Sequence, residues 1–365
     1  MTHLHASGQP ITVKGWPGLR RGRFLRCVSL LFCVAAALGA RAQLPANDPN
    51  TAGIDQHNRS DSSLYPQNDL PRPGRSYAEL KDAVELAQRG DFQNAERSIR
   101  AHLSSHADSA DGHFLLGYVL YRETRPTDSL AEYTLGAHFR RPSADDLAIV
   151  AMDYALLHAY ADADKWMTEA TALKPDNALY WYYLGRTKYN ENRYKEAVDI
   201  FDRCLKLRPG YVRAEYNLGL SYEGESLDDK AEAAYETAIS WQKDTANEDP
   251  QPYLDLGVLL AKQGRLKQAI SNLQKAIELD PRNPKIHEQT GRIYEQLHDL
   301  GKAQVELEAA VALAPKVAPL HFELGRIYQK EGMSTRAKVE FARCTALNGT
   351  LSTDSEETPN PDVHQ

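Results

Sequence analysis

A spacing of 34 residues recurs along this chain and restricts its fold more than any other feature of the sequence. A small residue returns at this spacing from Ala83 to Gly325, with seven gaps of which six are 34 and one is 38. In each of the eight units, two further positions for small residues follow, 12 and 19 residues later. Of these 24 positions, His102 is the one that does not hold a small residue. Small residues let two helix backbones approach closely. The pattern therefore predicts helix–turn–helix units that stack, because one unit alone cannot bury its apolar face.

Large residues and prolines also occur at fixed points of the period. A bulky residue lies one helical turn after the middle small residue in every unit, at Ile99, Tyr133, Met167, Phe201, Tyr235, Leu273, Leu307 and Phe341. Proline recurs where a second helix would end, at Pro175, Pro209, Pro281 and Pro315. Both patterns favour an all-α fold of paired helices.

Of the units, the one from Ala178 to Tyr211 most closely resembles the tetratricopeptide repeat (TPR) family. The residues that match the family's pattern are Trp181, Leu184, Gly185, Tyr194, Ala197, Phe201 and Pro209. The resemblance covers residues 76–351 and implies an all-α, right-handed α-solenoid of about eight helix–turn–helix (TPR) repeats. The first three units diverge most. A four-residue excess near Lys243 to Asp249 predicts a longer loop. The predicted repeats are 76–109, 110–143, 144–177, 178–211, 212–249, 250–283, 284–317 and 318–351.

The resemblance also predicts which side chains could bind a partner. In the TPR family the concave wall comes from the first helix of each repeat and forms an extended trough for peptides. Tyr and Arg are enriched in interface hot spots, so we expect ring stacking and arginine–carboxylate pairs with a peptide or protein segment. The alternative is that several of these rings pack between repeats. The residues at the wall positions are Phe114, Tyr118, Tyr121, Tyr182, Arg186, Tyr189, Tyr216, Arg292, Phe322 and Arg326.

The carboxylate clamp of co-chaperone TPR proteins is absent from this chain. In TPR proteins of the co-chaperone type, the clamp consists of Lys and Asn residues at set positions on consecutive first helices. No unit of this chain has lysine at the position that corresponds to the clamp lysine. An adaptor for chaperone tails is therefore not expected.

The first 42 residues have the pattern of a secretory signal peptide. They contain six Lys or Arg and no acid, and a 14-residue apolar or small stretch begins at Cys27. Ala40, Arg41 and Ala42 then form a small-x-small cleavage site before Gln43. We expect export to the periplasm or secretion, with cleavage between Ala42 and Gln43. The alternative is an uncleaved segment that anchors the chain to the inner membrane, although its apolar core is short for a membrane span.

Two further segments lack the apolar residues of a folded domain. Residues 43–75 are rich in Pro, Asn, Asp and Ser, and residues 352–365 are acidic. Such compositions bury too little surface to offset the entropy of ordering. We therefore expect a disordered linker at 43–75 and a disordered acidic tail at 352–365.

The composition excludes several function classes. The formal charge of −7, or −13 without residues 1–42, argues against nucleic acid as a partner. The sequence has no P-loop, HExxH or GxSxG motif, and the segments outside the repeats are too short for a catalytic domain. His102 and His106 have no third metal ligand nearby, and Cys204 and Cys344 lie four repeats apart, which is too far for a disulfide. No enzyme activity, cofactor or metal is expected.

The sequence thus predicts a non-catalytic scaffold that binds a protein partner within an exported or envelope-associated assembly. One alternative is a permanent structural or regulatory subunit of an envelope enzyme or secretion complex. Another is a solenoid that binds a glycan through Tyr182 and Tyr189, since aromatic rings stack on sugars.

Overall fold

The computed structural model describes residues 78–243 and 245–353. Over these residues the chain forms 16 α-helices after a short 3₁₀ turn at Ala78–Leu80, and it forms no β-strand. The segments predicted as signal peptide (1–42) and linker (43–75) lie outside the described residues. The last helix ends at Thr353, so residues 354–365 of the predicted tail lie outside them too.

The helices alternate between the two members of each predicted pair. The first helices are α1 Lys81–Gln88, α3 Ala110–Arg122, α5 Ala144–Leu156, α7 Ala178–Asn190, α9 Val212–Gly224, α11 Gln251–Lys262, α13 Pro284–Gln296 and α15 Ala318–Lys330. The second helices are α2 Phe92–Ser105, α4 Pro126–Phe139, α6 Tyr160–Leu173, α8 Tyr194–Leu207, α10 Asp228–Gln242, α12 Leu266–Leu279, α14 Leu300–Leu313 and α16 Ser334–Thr353. The predicted all-α fold of helix–turn–helix repeats, an α-solenoid, is confirmed.

The chain divides into two compact units, one ending at Lys174 and the other beginning at Pro175. Helices α1 to α6 belong to the first unit and α7 to α16 to the second. In each unit a helix packs mainly on the helices just before and after it in sequence. This neighbour-to-neighbour packing is typical of a repeat protein.

Close contact between the two helices of a repeat explains the recurring glycines. A Cβ atom added to Gly185 would lie 2.7 Å from the ring of Phe201, and one added to Gly219 would lie 2.6 Å from the ring of Tyr235. Phe201 and Tyr235 are fully buried. The ring of the second helix therefore fills the space that the glycine of the first helix leaves, as the small and bulky positions predicted.

A tight turn joins the two helices of each repeat and contains one residue with positive φ. At Thr124, for example, φ is 60°, and the amide of Arg125 donates to the carbonyl of Leu120 over 3.0 Å. This hydrogen bond closes the C-terminus of α3 in a Schellman-type turn. The residues at this point are Gly90, Thr124, His158, Asn192, Ser226, Gly264, His298 and Gly332.

The four extra residues lengthen the connection between α10 and α11. Helix α10 ends at Gln242 and α11 begins at Gln251. The buried side chain of Gln242 bridges this connection: its Nε2 donates to the carbonyl of Asp249 over 2.8 Å, and its Oε1 accepts from the amide of Asp249 over 3.1 Å. One side-chain amide thus satisfies two backbone groups of the loop.

Cys204 and Cys344 are both free thiols. Cys204 is fully buried on α8, and its Sγ contacts the carbonyl of Ala178 at 3.2 Å. Burial raises the pKa of the Cys204 thiol to about 12. A neutral, buried thiol is a small apolar side chain rather than a reactive group.

Candidate functional site

In the first unit, the residues predicted to line the wall are mostly buried. Phe114 is fully buried, and a Cβ atom on Gly136 would lie only 2.6 Å from its ring. Tyr118 and Tyr121 are also buried. The hydroxyl of Tyr118 accepts a hydrogen bond from Arg122 over 2.8 Å. These rings belong to the packing of α3, and Phe114 has no surface left for a partner.

Tyr182 in the second unit also belongs to the core. It is 2% exposed, and its ring centroid lies 5.2 Å from that of Tyr211 and 5.3 Å from that of Tyr183. For Phe114 and Tyr182 the wall position therefore faces the helix packing, which was the alternative to a binding role. These two side chains are buried because neighbouring large rings pack against them and cover their surface.

Tyr189 on α7 and Tyr216 on α9 remain half-buried. The Tyr216 hydroxyl donates to Asp255 on α11 over 2.5 Å. The ring of Tyr189 lies 5.4 Å from the ring of Tyr194. Burial, together with the nearby carboxylate of Asp255, raises the pKa of both tyrosines, so both hydroxyls stay protonated and can donate hydrogen bonds. Both side chains pack against the core, are only half-buried, and carry a polar group.

Two of the predicted arginines form ion pairs between neighbouring first helices. Arg292 on α13 pairs with Glu323 on α15 and, over 2.8 Å, with Glu288. Arg326 on α15 pairs in the reverse direction with Glu295 on α13 over 2.6 Å. The hydrogen bond to Glu323 raises the pKa of Arg292. We call Arg292, Glu295, Glu323 and Arg326 the arginine ladder.

The remaining predicted residues are accessible. Arg186 is half-buried on α7. Phe322 is 49% exposed on α15, with its ring centroid 5.7 Å from that of Phe341. The predicted cleavage site at Ala42 and Gln43 lies outside the described residues.

Sequence reasoning missed the carboxylates of this face. Glu223, Asp255, Glu295 and Glu323 all lie on first helices beside the predicted wall residues. A signal was available, because Glu223 and Glu295 share one position of the repeat and Asp255 and Glu323 share another. The first-helix face of the second unit is therefore a mixture of tyrosines, arginines and carboxylates, which suits recognition of a polar or charged chain segment.

The described residues hold no cluster of three or more His, Cys, Asp or Glu side chains that could bind a metal ion. Among the helices of residues 78–353, none combines the length and the apolar character needed to cross a bilayer.

Comparison with known proteins identifies the repeats. Family models described as tetratricopeptide repeat match residues 80–144, 178–211 and 212–245, and one described as TPR repeat matches residues 257–298. The peroxisomal targeting signal receptor of Candida albicans is 42% identical over 69 residues, or 18% of this chain. The match spans 12% of the receptor's own length.

Two solved structures are similar in fold. A tetratricopeptide repeat protein from Parabacteroides merdae matches with a TM-score of 0.54 and 19% identity, over 70% of this chain and 99% of that one. The Cut9–Hcn1 hetero-tetramer of the APC/C matches with a TM-score of 0.51 and 16% identity, over 91% of this chain and 61% of that one. At these identities the likeness concerns the fold. Together with the 34-residue period and the paired helices, the family matches lead to one conclusion: this chain is a tetratricopeptide repeat protein.

Proposed function

We propose that this protein is a non-catalytic scaffold that holds a segment of a partner protein on its first-helix face. One observation carries the proposal. In the second unit, consecutive first helices keep Tyr189, Tyr216 and Phe322 partly accessible beside charged side chains that ion pairs and hydrogen bonds already hold in place. Groups that are ordered in advance lose less entropy on binding.

The repeat family supports the same reading. A relative that is 42% identical to this chain over 69 residues is named as a receptor for a peroxisomal targeting signal. A repeat array offers each partner residue a similar surface at regular intervals, which favours an extended segment over a compact small molecule.

Site-specific photo-crosslinking in the native cells tests the proposal. The photoreactive residue p-benzoylphenylalanine replaces Tyr189 or Phe322 on the first helices. In matched controls it replaces Val305 or Val339, which lie on second helices and are 62% and 46% exposed. We expect crosslinks to one partner from the first-helix positions. Crosslinks from the second-helix positions alone would contradict the proposal.

That contrary outcome would favour the permanent-subunit alternative. Val305 and Val339 occupy the same position in consecutive repeats, so they place exposed apolar side chains on second helices. An exposed apolar patch is typical of a lasting interface. The glycan alternative has less support, because Tyr182, one of its two rings, is buried.

We further propose that the scaffold works after export, in the periplasm or outside the cell, within an envelope-associated assembly. The basic region, the apolar stretch from Cys27 and the small residues at Ala40 and Ala42 support this proposal. Intact-mass analysis of the protein from its native cells should give a chain that begins at Gln43. A mass that retains the apolar stretch would instead favour the anchored form.

A further inference from the structure

The last described repeat, 318–351, leaves part of its core uncovered. Its bulky second-helix residue, Phe341, is half-buried, whereas the residues at the same position of the other seven repeats are at most 3% exposed. Within each compact unit, the first helix of the following repeat packs on the second helix. None of the described helices follows α16. The side of α16 that a further repeat would cover is the end face, which consists of Ser334, Lys338, Phe341 and Ala342.

Ion pairs show how one repeat meets the next. Arg125, the N-cap residue of α4, pairs with Glu96 on α2 of the repeat before it over 3.0 Å. Arg265, the N-cap residue of α12, pairs in the same way with Glu232 on α10 over 2.6 Å. Both pairs occupy the same two positions of the repeat. Packing between repeats therefore brings these two positions within reach of each other.

The first and the last described repeat carry the reverse of this ion pair. Lys338 on α16 stands at the position of the two glutamates, and Asp91, the N-cap residue of α2, stands at the position of the two arginines. Lys338 is exposed and Asp91 is half-buried. The first repeat of one copy, stacked on the end face of another as a further repeat would be, brings these opposite charges together. The sign of each charge is exchanged, and the attraction is kept.

Asp91 can take part in such a pair while it caps its own helix. Its carboxylate accepts from the side-chain amide of Asn94 over 2.7 Å. Arg125 combines the same two roles, because it bonds to Asp128 in its own repeat over 2.8 Å while it pairs with the repeat before it. A bond within the repeat is therefore compatible with a bond between repeats.

A second pair of positions that touch between repeats would hold two apolar residues. Within the chain, the hydroxyl of Tyr328 on α15 donates to Glu308 on α14 over 2.6 Å. The corresponding residues of the stacked copies are Leu86 on α1 of one copy and Ala342 on α16 of the other. Leu86 is half-buried and Ala342 is exposed. Their contact would remove apolar surface from water.

A third pair of positions would hold two uncharged polar residues. Lys262 on α11 pairs with Asp228 on α10 over 3.2 Å. In the stacked copies, Gln88 on α1 and Ser334 on α16 stand at these positions. These side chains can form a hydrogen bond and do not repel each other. All three position pairs are thus complementary between the first repeat and the end face.

The side of the first repeat that would meet the end face is acidic. Asp82 and Glu85 on α1 are exposed, whereas the other seven repeats bury the residues at both positions. Glu85 also pairs with Arg89 over 3.5 Å. The carboxylates attract Lys338, but their desolvation opposes burial. A junction between copies is therefore weaker than a junction within the chain, and it is sensitive to salt.

We propose that the end face binds the first repeat of a second copy of this protein, so that copies stack head to tail. Continuity with the packing between repeats and the opposite charges of Lys338 and Asp91 carry this assignment. Two different surfaces meet, so the contact is heterologous and produces open chains or a ring rather than a twofold dimer. The inference goes beyond the proposed function, because it does not need a partner segment on the first-helix face.

Sedimentation velocity of the protein purified from its native cells tests the stacking. We expect the average mass to rise with protein concentration between about 1 and 100 μM at low salt. Because the junction depends on charge, the mass at a given concentration should fall when the salt is raised to about 0.5 M.

Charge exchange identifies the two surfaces that meet. Lys338→Glu places a carboxylate opposite Asp91 and should weaken the association about tenfold. Asp91→Arg places a cation opposite Lys338 and should weaken it similarly. The double variant recreates the pair that Arg265 and Glu232 form within the chain, and it should restore the association. Lys267→Glu is the matched control, because it makes the same charge change at an exposed residue of α12 and should leave the association unchanged.

Two outcomes would overturn the stacking. A folded wild type that stays monomeric up to about 100 μM would leave the end face to another occupant, such as the acidic residues 354–365 or a different protein. Association that Lys338→Glu weakens and the double variant does not restore would mean that Lys338 meets a surface other than the first repeat. Either result leaves the scaffold proposal standing, since the crosslinks test that proposal separately.

Circular dichroism checks that each variant folds. If Asp91→Arg does not fold, Asp91→Asn replaces it, because asparagine caps a helix as aspartate does but has no charge. Combined with Lys338→Glu, it should associate more tightly than Lys338→Glu alone. Equal association of these two proteins would contradict the contact between Lys338 and Asp91.

Discussion

A buried carboxyl group in the first unit shows how a single residue can set a pH dependence. Asp153 on α5 is fully buried, and burial raises its pKa well above the ordinary value for aspartate. Its Oδ2 lies 2.5 Å from the hydroxyl of Ser129, which in turn lies 2.9 Å from the carbonyl of Gly117. A protonated Asp153 completes this series of hydrogen bonds. The carboxyl group of Asp153 then donates to the hydroxyl of Ser129, and that hydroxyl donates to the carbonyl of Gly117.

We expect Asp153→Asn to remove a pH dependence of stability. A raised folded-state pKa means that Asp153 contributes fully below its unfolded pKa of about 4 and loses this contribution as the pH rises through the folded value. The Asn amide donates to Ser129 at any pH. The variant should therefore match the wild type near pH 4 and be more stable by about 1–3 kcal/mol at pH 7.

Urea unfolding at a series of pH values between 4 and 8 measures this difference. Ser129→Ala in the same series removes the hydroxyl that links Asp153 to Gly117 and should destabilise the protein at every pH. A constant difference between the wild type and Asp153→Asn across the range would contradict the prediction, because it would show that the pKa of Asp153 is not raised in the folded state.

The turn residues give a second effect at the scale of one residue. Thr124 has a φ of 60°, in a region that β-branched residues avoid, whereas Gly264 fills the equivalent place in another repeat. We expect Thr124→Gly to stabilise the protein by roughly 0.5–1 kcal/mol, since relief of the backbone strain outweighs the added freedom of glycine in the unfolded chain.

Thermal unfolding followed by circular dichroism would show the effect of Thr124→Gly. The reverse change, Gly264→Ala, is the matched control and should lower the melting temperature. Equal melting temperatures for Thr124→Gly and the wild type would mean that the turn tolerates the threonine without strain.

At the scale of the helix pair, a histidine–glutamate contact joins the first helix to the second helix within each of three repeats. His287 on α13 contacts Glu306 on α14 through Nδ1 at 2.7 Å and the carbonyl of Pro281 through Nε2 at 3.1 Å. His113 with Glu132 and His321 with Glu340 repeat this arrangement. In the repeat at 178–211, the indole of Trp181 donates to the corresponding carbonyl, that of Pro175, over 2.9 Å. Each ring thus joins its helix to the preceding turn.

Removal of one hydrogen-bond partner should weaken the pair of α13 and α14. Glu306→Leu leaves Nδ1 of His287 without this partner in a largely buried place and should cost about 1–2 kcal/mol. Glu306→Gln keeps a side-chain amide that can pair with Nδ1 and should cost less than half of that. Both values come from urea unfolding at one pH. Equal losses for the two variants would show that the charge of Glu306, and not its hydrogen bond, stabilises the pair.

For the whole chain, packing between helices adjacent in sequence predicts that a destabilising substitution has a local effect. Because each described helix packs mainly on those adjacent in sequence, a weakened repeat loses support only from its own neighbourhood. We expect Gly219→Ala, whose new Cβ would lie 2.6 Å from the ring of Tyr235, to increase amide hydrogen exchange in residues 212–249 and the repeats beside them.

Hydrogen exchange read by mass spectrometry tests this locality. The exchange of α3 and α4 should stay at the wild-type rate in Gly219→Ala. Gly301→Ala is the control, because a Cβ there meets no atom within 4 Å, and it should leave exchange unchanged or slower. A uniform increase along the chain would instead identify one cooperative unit.

The sequence by itself determined the repeats of this protein. Its small and bulky residues recur with the period of one helix pair, and the structure places Gly185 against Phe201 as that period requires. Such contacts lie within one repeat and depend on residues 16 positions apart, so a periodic pattern records them. The same reasoning placed Tyr189, Tyr216 and Phe322 on the predicted wall, and the structure leaves the two tyrosines half-buried and Phe322 exposed.

Only the tertiary structure decided which wall residues remain available. Phe114 and Tyr182 lie at wall positions but are buried, because the rings around them happen to be large. Arg292 and Arg326 pair with carboxylates 31 residues away, on neighbouring first helices. Burial and charge pairing depend on the particular side chains that meet between repeats, and the period alone does not specify them.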